Sequence, residues 1–238
     1  MSKSTIDLLE VEKFSKIADE WWDKNGKFKP LHKFNPIRVN FIKNEIINHF
    51  SKIENLNIVD IGCGGGLVSE EFSKLKANIT GIDASEKNIQ VAKIHAEKSG
   101  LNINYIATSA EELVEKEEKF DVVLALEIIE HVSDVEEFVK SCSKLLKPNG
   151  LIFFATMNRT LKSLATAKFA VEYILRWLPA GTHDWNKFLK PSEIADFANQ
   201  NNLSLFKQRG FHYNILKDLW SESGNLDVNY ISVFKNNK

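Results

Sequence analysis

Short apolar runs alternate with longer stretches of helical periodicity between about residues 57 and 156. The apolar runs, rich in β-branched side chains, lie at 57–61, 78–82, 103–107, 121–125 and 151–156. Because strands that alternate with helices usually pair in parallel, the pattern predicts an α/β fold, a mostly parallel sheet with helices on both faces. Two later runs, at 203–210 and 228–234, raise the predicted number of strands to seven.

Capping residues predict where several helices begin and end. Ser85 and Gly100 bracket one helical stretch, as an N-cap serine and a left-handed residue after the last turn. Asn35 and Pro36 have the pattern of an N-cap and a first-turn proline, which predicts a helix through Phe50. Further helices are predicted at 5–22, from Asp134 to a stop at Pro148, and at 191–200. We therefore expect a single domain over residues 1–238, with an N-terminal helical extension over residues 1–50.

A long insertion interrupts this alternation. The chain runs through residues 158–190 between the fifth predicted strand and the next helix, whereas such connections usually take about 2–6 residues. The insertion has six basic and two acidic residues, a net charge of +4 in a chain whose total is −1. Its apolar helical stretch, 164–178, lies among these cations. Two interpretations fit, a lid over a site and an interfacial helix that contacts anionic lipid.

Composition narrows the class of protein. The 238 residues are 43% hydrophobic and 26% charged, which suits a globular domain, and 31 basic against 32 acidic residues create no general attraction to nucleic acid. Two cysteines without metal-binding or disulfide spacing indicate a reducing cytoplasm. The chain has no run of 18 uncharged apolar residues and no apolar signal sequence, so we expect neither a membrane span nor cleavage.

The most specific motif is a glycine-rich loop between the first predicted strand and the following helix. It reads Asp-Ile-Gly-Cys-Gly-Gly-Gly over residues 60–66. Glycines let the backbone approach a ligand, and the helix N-terminus supplies free N–H groups. A P-loop would end in Gly-Lys-Ser/Thr, and a dinucleotide loop would need a small residue where Leu67 stands. The remaining pattern, with Asp60, Gly62 and Gly64, resembles the loop of class I, Rossmann-like methyltransferases that use S-adenosylmethionine (SAM).

Other residues occupy the positions where such methyltransferases contact SAM. Asp83 ends the second predicted strand, 21 residues after Gly62, and its carboxylate can accept hydrogen bonds from both ribose hydroxyls. By the same resemblance, Ser109 and Ala110 flank the adenine after the third strand, and Leu126 at the end of the fourth strand lines the cofactor. The sequence therefore predicts a SAM site at the carboxyl edge of the sheet.

Motifs spread over nearly the whole chain resemble a narrower family, the ubiquinone-biosynthesis O-methyltransferases. Besides the glycine loop they are Trp21-Trp22, Phe28-Lys29-Pro30-Leu31-His32, Asn35-Pro36-Ile37-Arg38, Glu127-Ile128-Ile129-Glu130-His131-Val132, Asn158-Arg159, Glu172-Tyr173-Ile174-Leu175, Gly181-Thr182-His183-Asp184, His212-Tyr213-Asn214 and Asp227-Val228-Asn229-Tyr230. The resemblance implies two O-methylations, of a 2-polyprenyl-6-hydroxyphenol and of a 3-demethylubiquinol. It also implies that Arg38 binds the methionine carboxylate of SAM, a role that its planar guanidinium suits.

Three candidate catalytic residues follow the fourth predicted strand. Glu127, Glu130 and His131 have i, i+3, i+4 spacing, so one helical turn would direct all three to the same side. A phenol with a pKa of about 10 must lose or share its proton to attack a methyl group. His131 would serve as a general base, or the three side chains would hold a divalent cation such as Mg²⁺, which the resemblance favours. In a third interpretation, Glu130 and His131 only satisfy backbone groups of the loop.

The resemblance also suggests where the protein works. A polyprenyl tail is poorly soluble in water, so we expect a cytoplasmic protein that associates peripherally with the anionic inner membrane through residues 158–190. Membership of a quinone-biosynthesis complex is open. Two alternatives remain, a methyltransferase acting on carbon of a related quinone and a non-catalytic lipid-binding protein that retains the fold. SAM binding together with turnover of a demethylated quinol would distinguish them.

Overall fold

A computed structural model describes residues 4–165 and 185–238, which contain one eight-stranded sheet. The strands are β1 (Asn57–Ile61), β2 (Asn78–Asp83), β3 (Asn104–Ala107), β4 (Phe120–Leu126), β5 (Leu146–Met157), β6 (Leu203–Asn214), β7 (Leu219–Ser223) and β8 (Asn229–Asn236). The helices are α1 (Leu8–Ser15), α2 (Lys29–Phe50), α3 (Ser69–Lys74), α4 (Glu86–Lys98), α5 (Ala110–Glu115), α6 (Val135–Lys144), α7 (Leu161–Leu164) and α8 (Pro191–Gln200). Short 3₁₀ turns lie at Ala18–Glu20, Ile129–His131 and Trp185–Lys187.

The strands are arranged in the order β3-β2-β1-β4-β5-β8-β6-β7. The first five pair in parallel, while β8 runs antiparallel between β5 and β6. The order reverses between β1 and β4, and in parallel sheets ligands bind at the carboxyl ends of the strands at such a point. The predicted α/β, Rossmann-like class is therefore confirmed, and the sheet directs its central strand ends toward one site.

Apolar side chains on both faces of the sheet explain its stability. The central strands are almost wholly buried, with Val59, Leu124 and Phe153 inaccessible to solvent. One core lies between the sheet and α5, α6 and α8, and a second lies beneath α2 and α3. Each fully buried aliphatic or aromatic side chain contributes roughly 1.5–3 kcal/mol relative to exposure. The two cores hold the carboxyl ends of β1, β2 and β4 in fixed positions.

The prediction of seven strands was one too few. All seven predicted runs are strands, but β6 extends to Asn214 and pairs with an additional antiparallel strand, β7. The run Leu219–Ser223 is mostly polar, and its strand conformation depends on tertiary packing. Trp220 packs against Phe34 of α2, with ring centroids 4.4 Å apart. This contact covers the second core from a strand that the hydrophobic pattern does not reveal.

The helix α2 begins six residues before the predicted N-cap. It starts at Lys29 with Pro30 in its first turn, so Pro36 lies inside the helix. Asn35 is not a cap. Its amide donates to the Leu67 carbonyl at 3.0 Å, so the helix is joined to the glycine loop at this point.

Of the other predicted helix boundaries, some are confirmed and some are wrong. Ser85 and Asp134 are confirmed as N-caps, and Gly100 has a φ of +66° after α4. The stop at Pro148 was wrong, because α6 ends at Lys144 and the proline already lies in β5. The predicted helix over 5–22 consists of α1 and a separate 3₁₀ turn.

The predicted insertion is described only at its two ends. Residues 158–165 include the short helix α7, which Thr160 caps, and residues 185–190 lead into α8. The predicted apolar helix 164–178 lies almost entirely outside the described residues. Within the described ranges, every helix is too short or too polar to cross a bilayer.

Candidate functional site

The glycine loop turns sharply between β1 and α3. Gly62 and Gly64 have φ angles of +71° and +54°, a region that side chains strongly disfavour. A Cβ on Gly62 would also lie 2.7 Å from Ile128 Cγ1. Burial raises the pKa of the Cys63 thiol, which keeps it neutral and agrees with a structural role in the turn.

Two tryptophans of the N-terminal extension pack on this loop. The Trp21 ring lies where a Cβ on Gly64 would have to sit, and its Nε1 donates to Asn88 Oδ1 at 3.0 Å. Trp22 Nε1 donates to the Gly65 carbonyl at 2.9 Å. The Trp22 ring also stacks on His95, with centroids 3.3 Å apart. The N-terminal extension therefore supports the glycine loop, which the spacing of the glycines alone does not reveal.

Asp83 connects the glycine loop to the start of α4. Its carboxylate accepts hydrogen bonds from the backbone N–H groups of Gly64 at 3.0 Å and Ser85 at 2.8 Å, and from Asn88 Nδ2 at 3.2 Å. Burial raises the pKa of Asp83, and these three hydrogen bonds oppose that shift. The carboxylate is thus held at the end of β2, where the sequence predicted it.

Arg38 and Asp60 form a buried charged group behind the loop. Arg38 is 3% exposed, and its Nε donates to Asn35 Oδ1 at 3.0 Å. Asp60 accepts from Ser69 Oγ at 2.6 Å, and burial raises its pKa to about 6. Among the described residues, Arg38 Nη1 is buried and has no hydrogen-bond partner. This buried guanidinium nitrogen therefore has a donor available to an anionic group.

A cavity lies at the carboxyl ends of β1, β2 and β4. The candidate site residues that line it are Gly62, Asp83, Ser109, Ala110, Glu127 and His131. The segment before and within α1 forms another wall, through Thr5, Ile6, Asp7, Glu10, Val11 and Phe14. Ser109 also caps α5, where its Oγ accepts from the Glu112 amide. Leu126 belongs to the core beneath α2 rather than to the lining of this cavity.

The three candidate catalytic residues do not share a helical turn. Glu127 has a φ of +55°, so the chain reverses direction there before the turn Ile129–His131 begins. Glu130 is buried and accepts from Thr156 Oγ1 at 2.9 Å. His131 lies on the cavity wall, with its Nδ1 3.0 Å from Glu10 Oε2. The expected single helical turn is therefore wrong, because only Glu130 and His131 belong to the turn, although Glu127 and His131 line the same cavity.

This arrangement does not fit a metal centre. Within residues 4–165 and 185–238, no three His, Cys, Asp or Glu side chains are grouped closely enough to hold a metal ion. Glu130 and His131 are each engaged by another side chain, Thr156 and Glu10. Mg²⁺ also prefers an all-oxygen octahedral set, which a histidine ligand does not provide.

The carboxyl group of Glu127 has a raised pKa. Burial raises the pKa of its carboxyl from the ordinary 4.5 to about 7, and the nearby Glu130 carboxylate adds to the shift. The Arg38 guanidinium opposes it, with Nη1 3.9 Å from Glu127 Oε1. A carboxyl group that ionises near neutral pH beside a cavity is typical of functional sites.

Comparison with known proteins identifies the family of this chain. Residues 59–154 match the family described as a methyltransferase domain. The ubiquinone biosynthesis O-methyltransferase of Pelagibacter ubique is 54% identical over 98% of this chain and 100% of its own length. The corresponding enzyme of Bartonella bacilliformis is 50% identical over 98% of this chain and 97% of its own.

A solved structure of similar fold is the magnesium protoporphyrin IX methyltransferase from Synechocystis PCC 6803 with bound SAH. It superposes with a TM-score of 0.68 at 16% identity, covering 96% of this chain and 98% of that one, which establishes the shared fold. The two sequence relatives, which align with nearly the whole chain, establish its family as well as its fold. This chain is a SAM-dependent methyltransferase and belongs to the ubiquinone biosynthesis O-methyltransferase family.

Proposed function

We propose that the protein transfers the methyl group of SAM to phenolic hydroxyls of polyprenylated quinone precursors, both the 2-polyprenyl-6-hydroxyphenol and 3-demethylubiquinol. The observation that carries this proposal is that Gly62 and Asp83, on the cofactor side, line the same cavity as His131. A methyl donor and a phenol bound in one cavity can reach the in-line geometry that displacement requires. The names of the sequence relatives support oxygen rather than carbon as the acceptor atom.

The cofactor would be bound by three kinds of contact. Asp83 would accept hydrogen bonds from the ribose hydroxyls, because its carboxylate is held at the end of β2 and faces the cavity. Arg38 would donate its unpartnered Nη1 to the methionine carboxylate. Ser109 and Ala110 line the cavity and would flank the adenine. The backbone near Leu126, at the end of β4, would complete the wall.

The acceptor hydroxyl would be activated by His131. SAM supplies a methyl group on a positively charged sulfur. The Nε2 lone pair of His131 would take the phenolic proton while the oxygen forms a bond to the methyl carbon. In the same displacement the carbon–sulfur bond would break with its electron pair on sulfur, which would leave a methyl ether, S-adenosylhomocysteine and an imidazolium that returns its proton to water. Because the surrounding donors do not fit Mg²⁺, this sequence of steps uses none.

The polyprenylated acceptor has to reach this cavity from a membrane. Residues 158–190 carry six basic side chains against two acidic ones, so they would attract an anionic surface. Lys187, near the end of this segment, lies beside α1 at the wall of the cavity. Peripheral contact on the cytoplasmic face would place the tail near the site. Association with other enzymes of the pathway would shorten the distance that the polyprenylated acceptor has to travel.

Product analysis tests the proposed function. The purified protein, SAM and a short-chain prenylated catechol should give the mono-O-methylated product by mass spectrometry. A demethylated short-chain quinol should be methylated as well. Binding of S-adenosylhomocysteine without turnover of either acceptor would contradict the proposed substrate class.

A further inference from the structure

The side chain of Glu10 reaches across the cavity to His131. Glu10 belongs to α1, 121 residues before the histidine in the chain, and its Oε2 lies 3.0 Å from His131 Nδ1. Both side chains are mostly buried, 19% and 12% exposed, and both line the cavity. The Phe14 ring packs nearly perpendicular to the imidazole, with centroids 5.1 Å apart. The imidazole is therefore held by a hydrogen bond and by an aromatic neighbour from the same helix.

Additional contacts hold the carboxylate in place. Lys187 Nζ lies 3.4 Å from Glu10 Oε1, and Lys13 Nζ lies 3.5 Å from Oε2. The two ammonium groups and the hydrogen bond with the imidazole favour the ionised form of this carboxylate. Glu10 thus presents a fixed negative charge to one nitrogen of the imidazole.

The chain before α1 is attached to the same loop. The Ser133 amide donates to the Thr5 carbonyl at 2.9 Å, two residues beyond His131. Thr5 Oγ1 donates to Glu111 Oε1 at 2.7 Å, and Thr5 is buried. By contrast, α1 itself has no fully buried residue, and Leu8 and Leu9 are largely exposed. Polar contacts at the site therefore position this helix together with the apolar packing of Phe14.

We propose that Glu10 is a positioning residue for His131. This inference rests on the proposed function. An ionised carboxylate at Nδ1 favours the tautomer that carries its proton on that nitrogen, which leaves the Nε2 lone pair for the acceptor hydroxyl. Glu10 would act through the histidine rather than on the acceptor directly. It selects the ring orientation and the tautomer in which His131 is able to accept a proton.

The substitution Glu10→Gln tests the inference, with Glu12→Gln as a matched control. Glu12 lies on the same helix, is exposed and pairs only with Lys16 among the described contacts. With a short-chain prenylated catechol, Glu10→Gln should lower kcat roughly 10- to 100-fold, part of the 10²–10⁴ that a general base supplies. The KM for SAM and the affinity for S-adenosylhomocysteine should not change. Glu12→Gln should match the wild type.

An electron-poor nitrocatechol, already ionised at neutral pH, separates positioning from a structural role. Because this acceptor needs no base, the loss of kcat in Glu10→Gln should disappear with it. An equal loss with both acceptors, weakened cofactor binding, or no loss with the prenylated catechol would overturn the inference while leaving the proposed function intact. If the wild-type protein turns over neither acceptor, the proposed function fails and the inference fails with it.

Discussion

Arg38 Nη1 lies 3.9 Å from Glu127 Oε1, and the two side chains are 4% and 19% exposed. The distance is too long for a hydrogen bond, so the guanidinium retains a donor for another anion. In a cofactor complex, the methionine carboxylate would fill this position.

Replacement of Arg38 should therefore weaken cofactor binding. For Arg38→Ala we expect roughly 10- to 100-fold lower affinity for S-adenosylhomocysteine, the equivalent of one charge-assisted hydrogen bond. Arg38→Lys should not restore it fully, because a lysine loses the hydrogen bond from Nε to Asn35. Calorimetric titration measures both variants, with Asn44→Ala on the exposed side of α2 as control. Wild-type affinity in Arg38→Ala would refute the assignment.

Asp83→Ala should abolish measurable SAM binding. The substitution removes the acceptor for the ribose hydroxyls and also releases the Gly64 amide and Asn88. Loss of two charge-assisted hydrogen bonds predicts an affinity at least roughly 100-fold lower. Asp196→Ala, an exposed carboxylate on α8, is the control for charge. Thermal unfolding of each variant shows whether the domain remains folded, and unchanged affinity in a folded Asp83→Ala protein would remove the ribose role.

Buried carboxyl groups should make the protein less stable as the pH rises. Burial raises the pKa of Asp60 to about 6 and of Glu127 to about 7, above their ordinary values of 3.8 and 4.5. Between about pH 4 and 7 the folded protein therefore binds more protons than the unfolded chain, so the free energy of unfolding falls as pH increases. Urea unfolding at pH 5 and pH 8 measures this difference. Glu127→Gln should show a smaller decrease than the wild type, and an identical decrease would argue against the shifted carboxyl.

Chelation should leave methyl transfer intact. The Glu130 carboxylate and the His131 imidazole are hydrogen-bonded to Thr156 and Glu10, and the described residues contain no group of side chains that could hold a metal ion. We expect equal rates for prenylated catechol before and after extensive EDTA treatment and gel filtration. Loss of activity that is restored by Mg²⁺ alone would show that the acidic residues rearrange around a cation after all.

Charge reversal in the insertion should weaken membrane binding. Lys168 and Arg176 lie within its predicted apolar helix, outside the described residues. Because each basic side chain near an anionic surface contributes about 1 kcal/mol, changing both to Glu should lower the affinity for phosphatidylglycerol vesicles at least roughly 30-fold. Lys98→Glu, at the exposed end of α4, is the control. Sedimentation with vesicles measures binding, and wild-type binding by the double variant would exclude this surface.

Local rules were sufficient to predict where Gly62 and Asp83 lie in the fold. The strand–glycine–helix pattern places Gly62 at a bend, and Asp83 ends the neighbouring strand, so the parallel pairing of β1 with β2 brings the two together. Capping by Ser85 and Asp134 depends on the residues within one turn and was equally predictable. These features require no knowledge of distant contacts.

The acceptor side depends on contacts that no spacing reveals. Glu10 meets His131 only because α1 folds back over the sheet, and its own periodicity marks an ordinary amphipathic helix. The positive φ of Glu127 has no signature in the sequence, since non-glycine residues rarely adopt it. The early start of α2 likewise depends on packing that outweighs the interior Pro36.

The position of Trp21 against the glycine loop limits how far this enzyme can be shortened. The methyltransferase-domain match begins at residue 59, beyond Trp21, Arg38 and the whole of α1. A fragment trimmed to that match would retain the glycine loop. It would lack Arg38, the Trp21 ring that packs on the loop and the Glu10 carboxylate beside His131. Truncated or grafted versions of this domain should therefore keep the first forty residues, which supply these contacts, and purification tags should be placed at the other terminus.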